Sequence, residues 1–495
     1  MKTKNTKILR KLTFPLLFSV ILIAFLLFSC GEKDGKDKTG ETGLKDEVAE
    51  TATEAGETRI YPDLPERDFG GYQFNILHWV VDLWGFNDNM DIYAEELDGD
   101  AFNDAVFYRN KKIEETYNVK ISLVYDDIFV MPKTVQNMVK SGDNSYDLIF
   151  QRMANIPSIV MGGYLHNLNN VDYIDFSKPW WDKNSINELS VDHKSFLAAS
   201  DIQTMDKDAI YCVMFNKQEA QNYDLGNLYA LVESGDWTLD KLYDLCKDKS
   251  RDLNGNGTLD KEDFIAFVGA DDVTTAFFNG GGGKFAEKDE DDIPYLTFYS
   301  PRNLDMCDKI LDFMYDKNVF RNGHYEDTAD MFPNGNGLFV IGRLADVRKW
   351  RYSETDFGIL PIPKFDKAQE RYYSTVSVHT AGLLSIPTTA PDIERTGIIA
   401  EAWAAESRYT VIPAYYDIAL KGKYTRDEES KDILDLLMVT RLYDLGEVYA
   451  FGGFNGTWLR FVTTKGKDIV SAYEKAEKMM TKDMEKLIKT FEDID

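Results

Sequence analysis

Between residues 72 and 150 the spacing of apolar residues changes repeatedly, and that alternation is what most constrains the fold. Tyr72–Trp79 is a short apolar run. A polar loop with Asp82 and Trp84 follows, and then Phe102, Val106, Ile113 and Tyr117 recur at helical spacing around Arg109-Asn110. Val119, Ile121, Leu123 and Tyr125 then repeat every second residue, which puts them on one face of a strand. Another helical stretch leads to Tyr146-Asp147-Leu148-Ile149-Phe150, whose apolar end suits a strand buried on both faces of a parallel sheet. Strand, helix, strand, helix, strand in this order predicts an open α/β sheet.

A second α/β region begins near Ser195. Ile210–Phe215 reads as a strand and Trp237–Lys247 as a helix with Leu239, Leu242 and Leu245 on one side. Gly337–Ile341 and Phe357–Leu360 read as further strands, the latter closed by Pro361 and Pro363. Val376–Ile386 reads as a strand returning to the first region, and Pro391–Ala405 as a helix. The chain ends in an amphipathic helix carrying Ile469, Tyr473, Met480, Met484, Leu487 and Phe491. The body from about residue 66 onward is too long for one hydrophobic core, so two domains are expected.

The first residues are an address. Five basic residues (Lys2, Lys4, Lys7, Arg10, Lys11) precede the apolar run Leu12–Phe28, then Ser29 and Cys30. This is the order of an export signal, here over residues 1–29. The segment Leu27-Phe28-Ser29-Cys30 resembles the lipobox of bacterial lipoproteins, with Phe28 bulkier than the usual residue. That resemblance implies signal removal, lipidation at Cys30 and a membrane-anchored chain on the extracytoplasmic face, at the cell surface or in the periplasm. Residues 31–64 are rich in Gly, Lys, Asp, Glu and Thr, with no aromatic before Tyr61, so a flexible tether is expected over 30–65.

The chain carries 84 acidic and 56 basic residues, a net charge of −28 that becomes −33 without residues 1–29. So acidic a body is repelled by phosphate backbones, which argues against a nucleic-acid partner. Cys212, Cys246 and Cys307 lie far apart and form no CxxC, so they read as small buried hydrophobes.

The order of features is similar to that of the extracellular solute-binding proteins, in the family that includes maltodextrin-binding proteins of ATP-driven importers. The markers are Tyr146–Phe150, Gly163-Tyr164-Leu165-His166-Asn167-Leu168, Phe215-Asn216-Lys217, Trp237-Thr238-Leu239-Asp240-Lys241-Leu242 and Phe357-Gly358-Ile359-Leu360-Pro361-Ile362-Pro363. The resemblance implies a periplasmic-binding-protein-like fold of type II, with two α/β lobes joined by a hinge and ligand held between them. On this mapping one lobe takes 66–197 and 380–415, and the other 198–379 and 416–495. It further implies a monomer that delivers a carbohydrate, an oligosaccharide by expectation, to the permease subunits. A surface-anchored glycoside hydrolase and a sugar sensor for a signalling partner stand as alternatives.

One local motif points to a metal. Asp252-Leu253-Asn254-Gly255-Asn256-Gly257-Thr258-Leu259-Asp260-Lys261-Glu262-Asp263 follows the twelve-residue EF-hand loop, with Asp263 in place of the usual Glu. A hard cation needs several oxygens wrapped around it, and Gly257 allows the sharp turn. The expected ligands of a structural calcium are Asp252, Asn254, Asn256, Thr258, Asp260 and Asp263, the alternative being a metal-free Asn/Gly turn.

Aromatic residues make 13% of the chain, and sugar sites pair aromatic platforms with planar polar groups. In open α/β sheets ligands sit beyond the carboxyl ends of strands. That rule selects Trp79, Asp82 and Trp84 after the first strand, Gln151 and Arg152 after Phe150, and Arg343 after Ile341. Trp181 (with Trp180) is a further candidate, and the family resemblance adds Trp458 as a stacking aromatic. Nucleophile-elbow and HExxH motifs are missing, and Gly280–Lys284 lacks the phosphate-loop spacing, so no enzyme is expected.

Overall fold

A computed structural model describes residues 59–80, 91–269, 273–322, 330–350, 353–421 and 428–494. Cys30 and the apolar run before it, and Asp82 and Trp84, lie outside these residues. No helix among the described residues is long and apolar enough to cross a membrane.

Two sheets organise the chain. The first contains β1 (Tyr72–Val80), β2 (Val119–Asp127), β3 (Leu148–Arg152) and a late strand. The second contains β4 (Tyr211–Asn216), β5 (Ile265–Gly269), β6 (Phe320–Asn322), β7 (Gly337–Arg343) and β8 (Phe357–Leu360). The late strand of the first sheet is β9 (Gly382–Ser385). The spatial orders are β9-β3-β1-β2 and β8-β4-β7-β5-β6.

The two orders are versions of one plan. In each, a central strand (β1 or β5) has parallel neighbours on both sides, and an antiparallel strand borders the third. That antiparallel strand is β9 in the first sheet and β4 in the second. Each follows a segment that has just crossed from the other lobe. The crossings lie beside one another, as the bridge Ile210↔Val376 shows.

Strand periodicity assigns the faces of the first sheet. Phe74, Ile76, Leu148 and Phe150 join a core with Ile398, Ile399 and Trp403 of the helix Ile393–Tyr409. Leu77, Trp79 and Ile149 turn to the opposite face and join the core that continues into the second lobe. The helix Ala101–Tyr117 links β1 to β2. It starts where the Asp100 side chain accepts from the amides of Phe102 and Asn103, and stops at Asn118 with φ 48°. The second lobe is filled by rings: Phe298 lies 4.7 Å from Phe454, 5.0 Å from Phe278 and 5.3 Å from Phe285, centroid to centroid.

Two expectations change in detail. The tether ends earlier than residue 65. Arg59 pairs with Glu406 at 2.5 Å and lies over the Tyr409 ring, and the Ile60 amide donates to the Tyr409 hydroxyl, which seats this stretch on the Ile393–Tyr409 helix. The returning strand is short, because only Gly382–Ser385 pairs continuously with β3. The glycine run at 280–283 is close-packed interior. A Cβ on Gly280 would stand 2.2 Å from the Ile362 side chain, and one on Gly281 would stand 2.2 Å from the Met306 sulfur. Cys212, Cys246 and Cys307 are buried free thiols.

Candidate functional site: the junction of the lobes

β1 and β3 end side by side. Their register pairs Leu77 with Ile149 and His78 with Phe150, so the next residues, Trp79 and Gln151, project from the same face at the carboxyl end of the sheet. Gln151 also sits opposite Leu383 of β9, and Arg152 opposite Gly382. The crossing from the first lobe to the second passes here and brings Gln203. A Cβ on Gly382 would lie 2.7 Å from Gln203 Nε2 and 3.3 Å from Trp79 Nε1, so only glycine leaves room for these two side chains.

The polar groups at this point are unusual. Gln151 and Gln203 are essentially unexposed, at 0% and 1%. Among the described residues, neither the amide nitrogen nor the amide oxygen of either has a hydrogen-bond partner. A buried unmade hydrogen bond costs about 1–3 kcal/mol, so such pairs mark places where something else supplies the partners. One oxygen of Asp91 is in the same condition, while the other accepts from the amide (2.7 Å) and hydroxyl of Thr204, next to Gln203.

Two arginines flank the return crossing. Arg152, from the first lobe, donates to the His379 carbonyl at 3.0 Å and to its ring nitrogen at 2.9 Å; burial lowers its pKa to about 10. Arg343, at the end of β7 in the second lobe, donates to the Thr380 hydroxyl at 2.7 Å and lies 3.8 Å from Asp346. Behind them stands Arg109, fully buried. It donates to the carbonyls of Asp91 (2.8 Å), Ile92 (3.0 Å) and Ile202 (2.8 Å) and stacks on Trp403. Desolvation lowers its pKa to about 9. It fixes both the backbone after the first loop and the crossing that carries Gln203. His78, on the opposite face of β1, donates from Nδ1 to the Trp79 carbonyl, and burial lowers its pKa to about 4, so it is neutral.

Of the residues selected from sequence, Trp79, Gln151, Arg152 and Arg343 meet at this junction. Trp181 does not. It is buried in the first lobe, where its indole N–H and that of Trp180 donate to the two oxygens of Glu401 at 2.7 and 3.0 Å. Trp458 is not in a loop but inside the helix Phe454–Thr464, buried among Phe278, Phe298 and Phe461. Ring-on-ring packing there outcompetes exposure to a cleft. Gln203 and Asp91 were not selected. Their signal is faint: the polar stretch Asp201-Ile202-Gln203-Thr204-Met205-Asp206-Lys207-Asp208 interrupts two apolar runs and is buried throughout.

The loop 252–263 forms a compact turn closed by the bridge Arg251↔Phe264. Gly257 has φ 81°. Asp252 accepts from the amides of Gly255 (2.6 Å) and Gly257 (2.8 Å), and Asp263 from those of Leu253 and Asp260, both at 2.8 Å. These turns set oxygens along the loop. Among the described residues, however, no three His, Cys, Asp or Glu side chains stand close enough together to hold a metal.

No protein-family model matches the sequence, and no curated protein does. Solved structures match over most of the chain. A cyclo/maltodextrin-binding protein complexed with maltotetraose is 12% identical and superposes with a TM-score of 0.55, covering 83% of this chain and 97% of its own. The maltose/maltodextrin-binding domain MalE from Bdellovibrio bacteriovorus, bound to maltotriose, is 12% identical with a TM-score of 0.52, covering 85% and 99%. An ABC transporter solute-binding protein from Thermotoga lettingae, bound with alpha-D-tagatose, is 15% identical with a TM-score of 0.51, covering 85% and 100%. At these identities the likeness defines the fold. The chain has the two-lobe α/β fold of these solute-binding proteins, as its motif order predicted.

Proposed function

We propose that this chain is the ligand-capturing component of an ATP-driven importer, lipid-anchored through Cys30 on the extracytoplasmic face, and that its ligand is a carbohydrate, an oligosaccharide in the first instance. The observation that carries the reading is the set of buried, unpartnered amides of Gln151 and Gln203 where two lobes of like topology meet. An amide donates and accepts at once, which matches sugar hydroxyls. The indole of Trp79, buried beside them, would supply an apolar face for C–H groups where the lobes part. The sugar ligands of the three structural neighbours support the same class.

The mechanism is hinge closure without covalent chemistry. Ligand touched from both lobes favours the closed arrangement, because only that state makes both sets of contacts. Calorimetry against a panel of neutral oligosaccharides should give reversible binding, with compaction in solution scattering. Product formation would overturn the reading in favour of a hydrolase. Cells lacking the chain should lose uptake of the bound sugar, and retained uptake would favour a sensor. Replacing Cys30 by Ser should abolish acyl labelling and release the protein from membranes.

The loop 252–263 is proposed to take a structural calcium through Asp252, Asn254, Asn256, Thr258, Asp260 and Asp263, drawn together on binding. Extracellular calcium sites of about 10⁻⁴–10⁻³ M affinity need no more. Chelation should lower the melting temperature, and an unchanged value would count against the ion.

A further inference from the structure

Gln203 lies on a segment whose apolar packing, through Ile202 and Met205, accounts for only part of its burial. Residues 201–208 cross from one lobe to the other, and four acidic or basic side chains in them are buried: Asp201, Asp206, Lys207 and Asp208, none more than 8% exposed. Burying charges is costly unless each is paired. Here they are. Lys207 lies 3.4 Å from Asp201 and 3.3 Å from Asp206. Asp206 pairs with Arg441 at 2.6 Å, and Asp208 with Arg348 at 3.0 Å. Arg441 also reaches Asp182 at 3.3 Å, and Arg408 reaches Asp201 at 3.4 Å.

The partners come from separate parts of the fold. Arg348 is on the helix Leu344–Trp350 after β7, Arg408 on the helix Ile393–Tyr409 of the first lobe, and Arg441 on the short strand Arg441–Leu442 paired with Ser374–Thr375. The network thus clamps one crossing from both lobes. It also reaches the ligand site by a specific route: the Lys207 ammonium donates to the carbonyls of Ser200 (3.3 Å) and Gln203 (3.4 Å). The backbone that carries the unpartnered amide is therefore held by a lysine that pairs with Asp206, which Arg441 holds in turn.

We infer that Gln203 is a ligand-reading residue on the hinge itself, and that Arg441, acting through Asp206 and Lys207, is the positioning residue that aims it at an uncharged, hydroxyl-bearing group. A side chain on the crossing sees both lobes, so its hydrogen bonds to ligand report on closure as well as on identity. An uncharged ligand follows from the chemistry of the two amides. Two amides present acceptors as well as donors, and the flanking Arg152 and Arg343 already donate to His379 and Thr380, so an uncharged hydroxyl-bearing group is what the amides match.

This inference rests on the carbohydrate reading and has its own test. The full chain and its Q203A, R441M, R441K and Q203A/R441M variants would be titrated by calorimetry with a panel of neutral mono- to tetrasaccharides and the matching uronic acids. Q203A should weaken the bound neutral sugar by about 10- to 100-fold, the loss of a buried hydrogen bond, with little change in melting temperature. R441M should weaken it too, R441K should recover part of the loss, and the double variant should bind no worse than Q203A alone. R441K keeps the charge, so it reports even where R441M folds poorly.

A neutral sugar bound equally by Q203A and wild type overturns the assignment of Gln203. Losses that add in the double variant overturn the positioning role of Arg441. Uronic acids that bind more tightly than neutral sugars overturn the uncharged class. A panel with no binder at all overturns the carbohydrate reading, and this inference with it.

Discussion

The two lobes share a sheet order but not a way of holding it. The second lobe is stabilised by stacked phenylalanines, with Phe298 at the centre of a ring cluster that includes Phe278, Phe285, Phe454 and Tyr473. The first lobe instead buries polar groups in its interior. Arg109 braces three carbonyls, Glu401 receives two indole N–H groups, and Asp147 pairs with Arg395, which lies 3.5 Å from the Tyr72 ring centre. Topology therefore does not dictate core chemistry. The lobe with the polar interior is also the one whose strand ends carry the unpartnered site amide Gln151, and directional bonds hold such groups more narrowly than apolar contact does.

The comparison can be broken by substitution. The largest effect is expected in the second lobe: Phe298→Ala should cost about 3–5 kcal/mol in urea unfolding, because the rings around it cannot all collapse inward. A much smaller loss would mean that this core is loosely packed. Arg109→Met should cost the first lobe about 2–3 kcal/mol by leaving buried carbonyls without donors, and should weaken sugar binding through the displaced crossing. Unchanged affinity in a folded Arg109→Met protein would separate the brace from the site.

Acid–base behaviour sharpens the contrast further. Burial raises the Glu401 carboxyl in the first lobe to about 7, and raises Asp444, which accepts from the Phe285 amide in the second, to about 6. Both hold their protons more tightly folded than unfolded. Their contribution to stability is thus complete below pH about 4 and is lost as pH rises through 6 and then 7. The melting temperature should fall across that range. Glu401→Gln should flatten the upper part of the fall and Asp444→Asn the lower part, and unaltered profiles would show that other groups set the slope. The smallest effect is expected at the edge. Arg59→Ala breaks a half-exposed pair with Glu406 and should cost less than about 1 kcal/mol, while speeding protease cleavage before residue 66.

Much of the fold was legible because burial on two faces leaves a strong sequence trace. Leu148-Ile149-Phe150 and Phe357–Leu360 were readable as buried strands, and the helix Ile469–Asp493 from its apolar stripe. Ile265–Gly269, an interior strand of the second sheet, was missed because its short apolar run follows directly on the Asp/Asn-rich loop. At the junction of the lobes, the strand-end rule selects Trp79, Gln151, Arg152 and Arg343, which the fold brings together, since the rule depends only on knowing where a strand stops. Trp181, chosen for its aromatic ring, and Trp458, added by the family resemblance, lie elsewhere, because aromatic content cannot distinguish a ring that stacks on a ligand from one that stacks on other groups of the protein.

By itself the sequence determined the α/β alternation, the two-lobe plan and the strand ends that meet where the lobes join. The alternation and the strand ends follow from local periodicity, which a chain carries wherever it is placed, whereas the two-lobe plan is what chain length and the family resemblance imply. Tertiary structure alone decided that Gln203 stands beside Trp79 above a glycine, and that Arg441, more than two hundred residues away, steadies the backbone beneath it. Those relations depend on which segments cross between lobes and how closely they pass. No local pattern of residues encodes that distance.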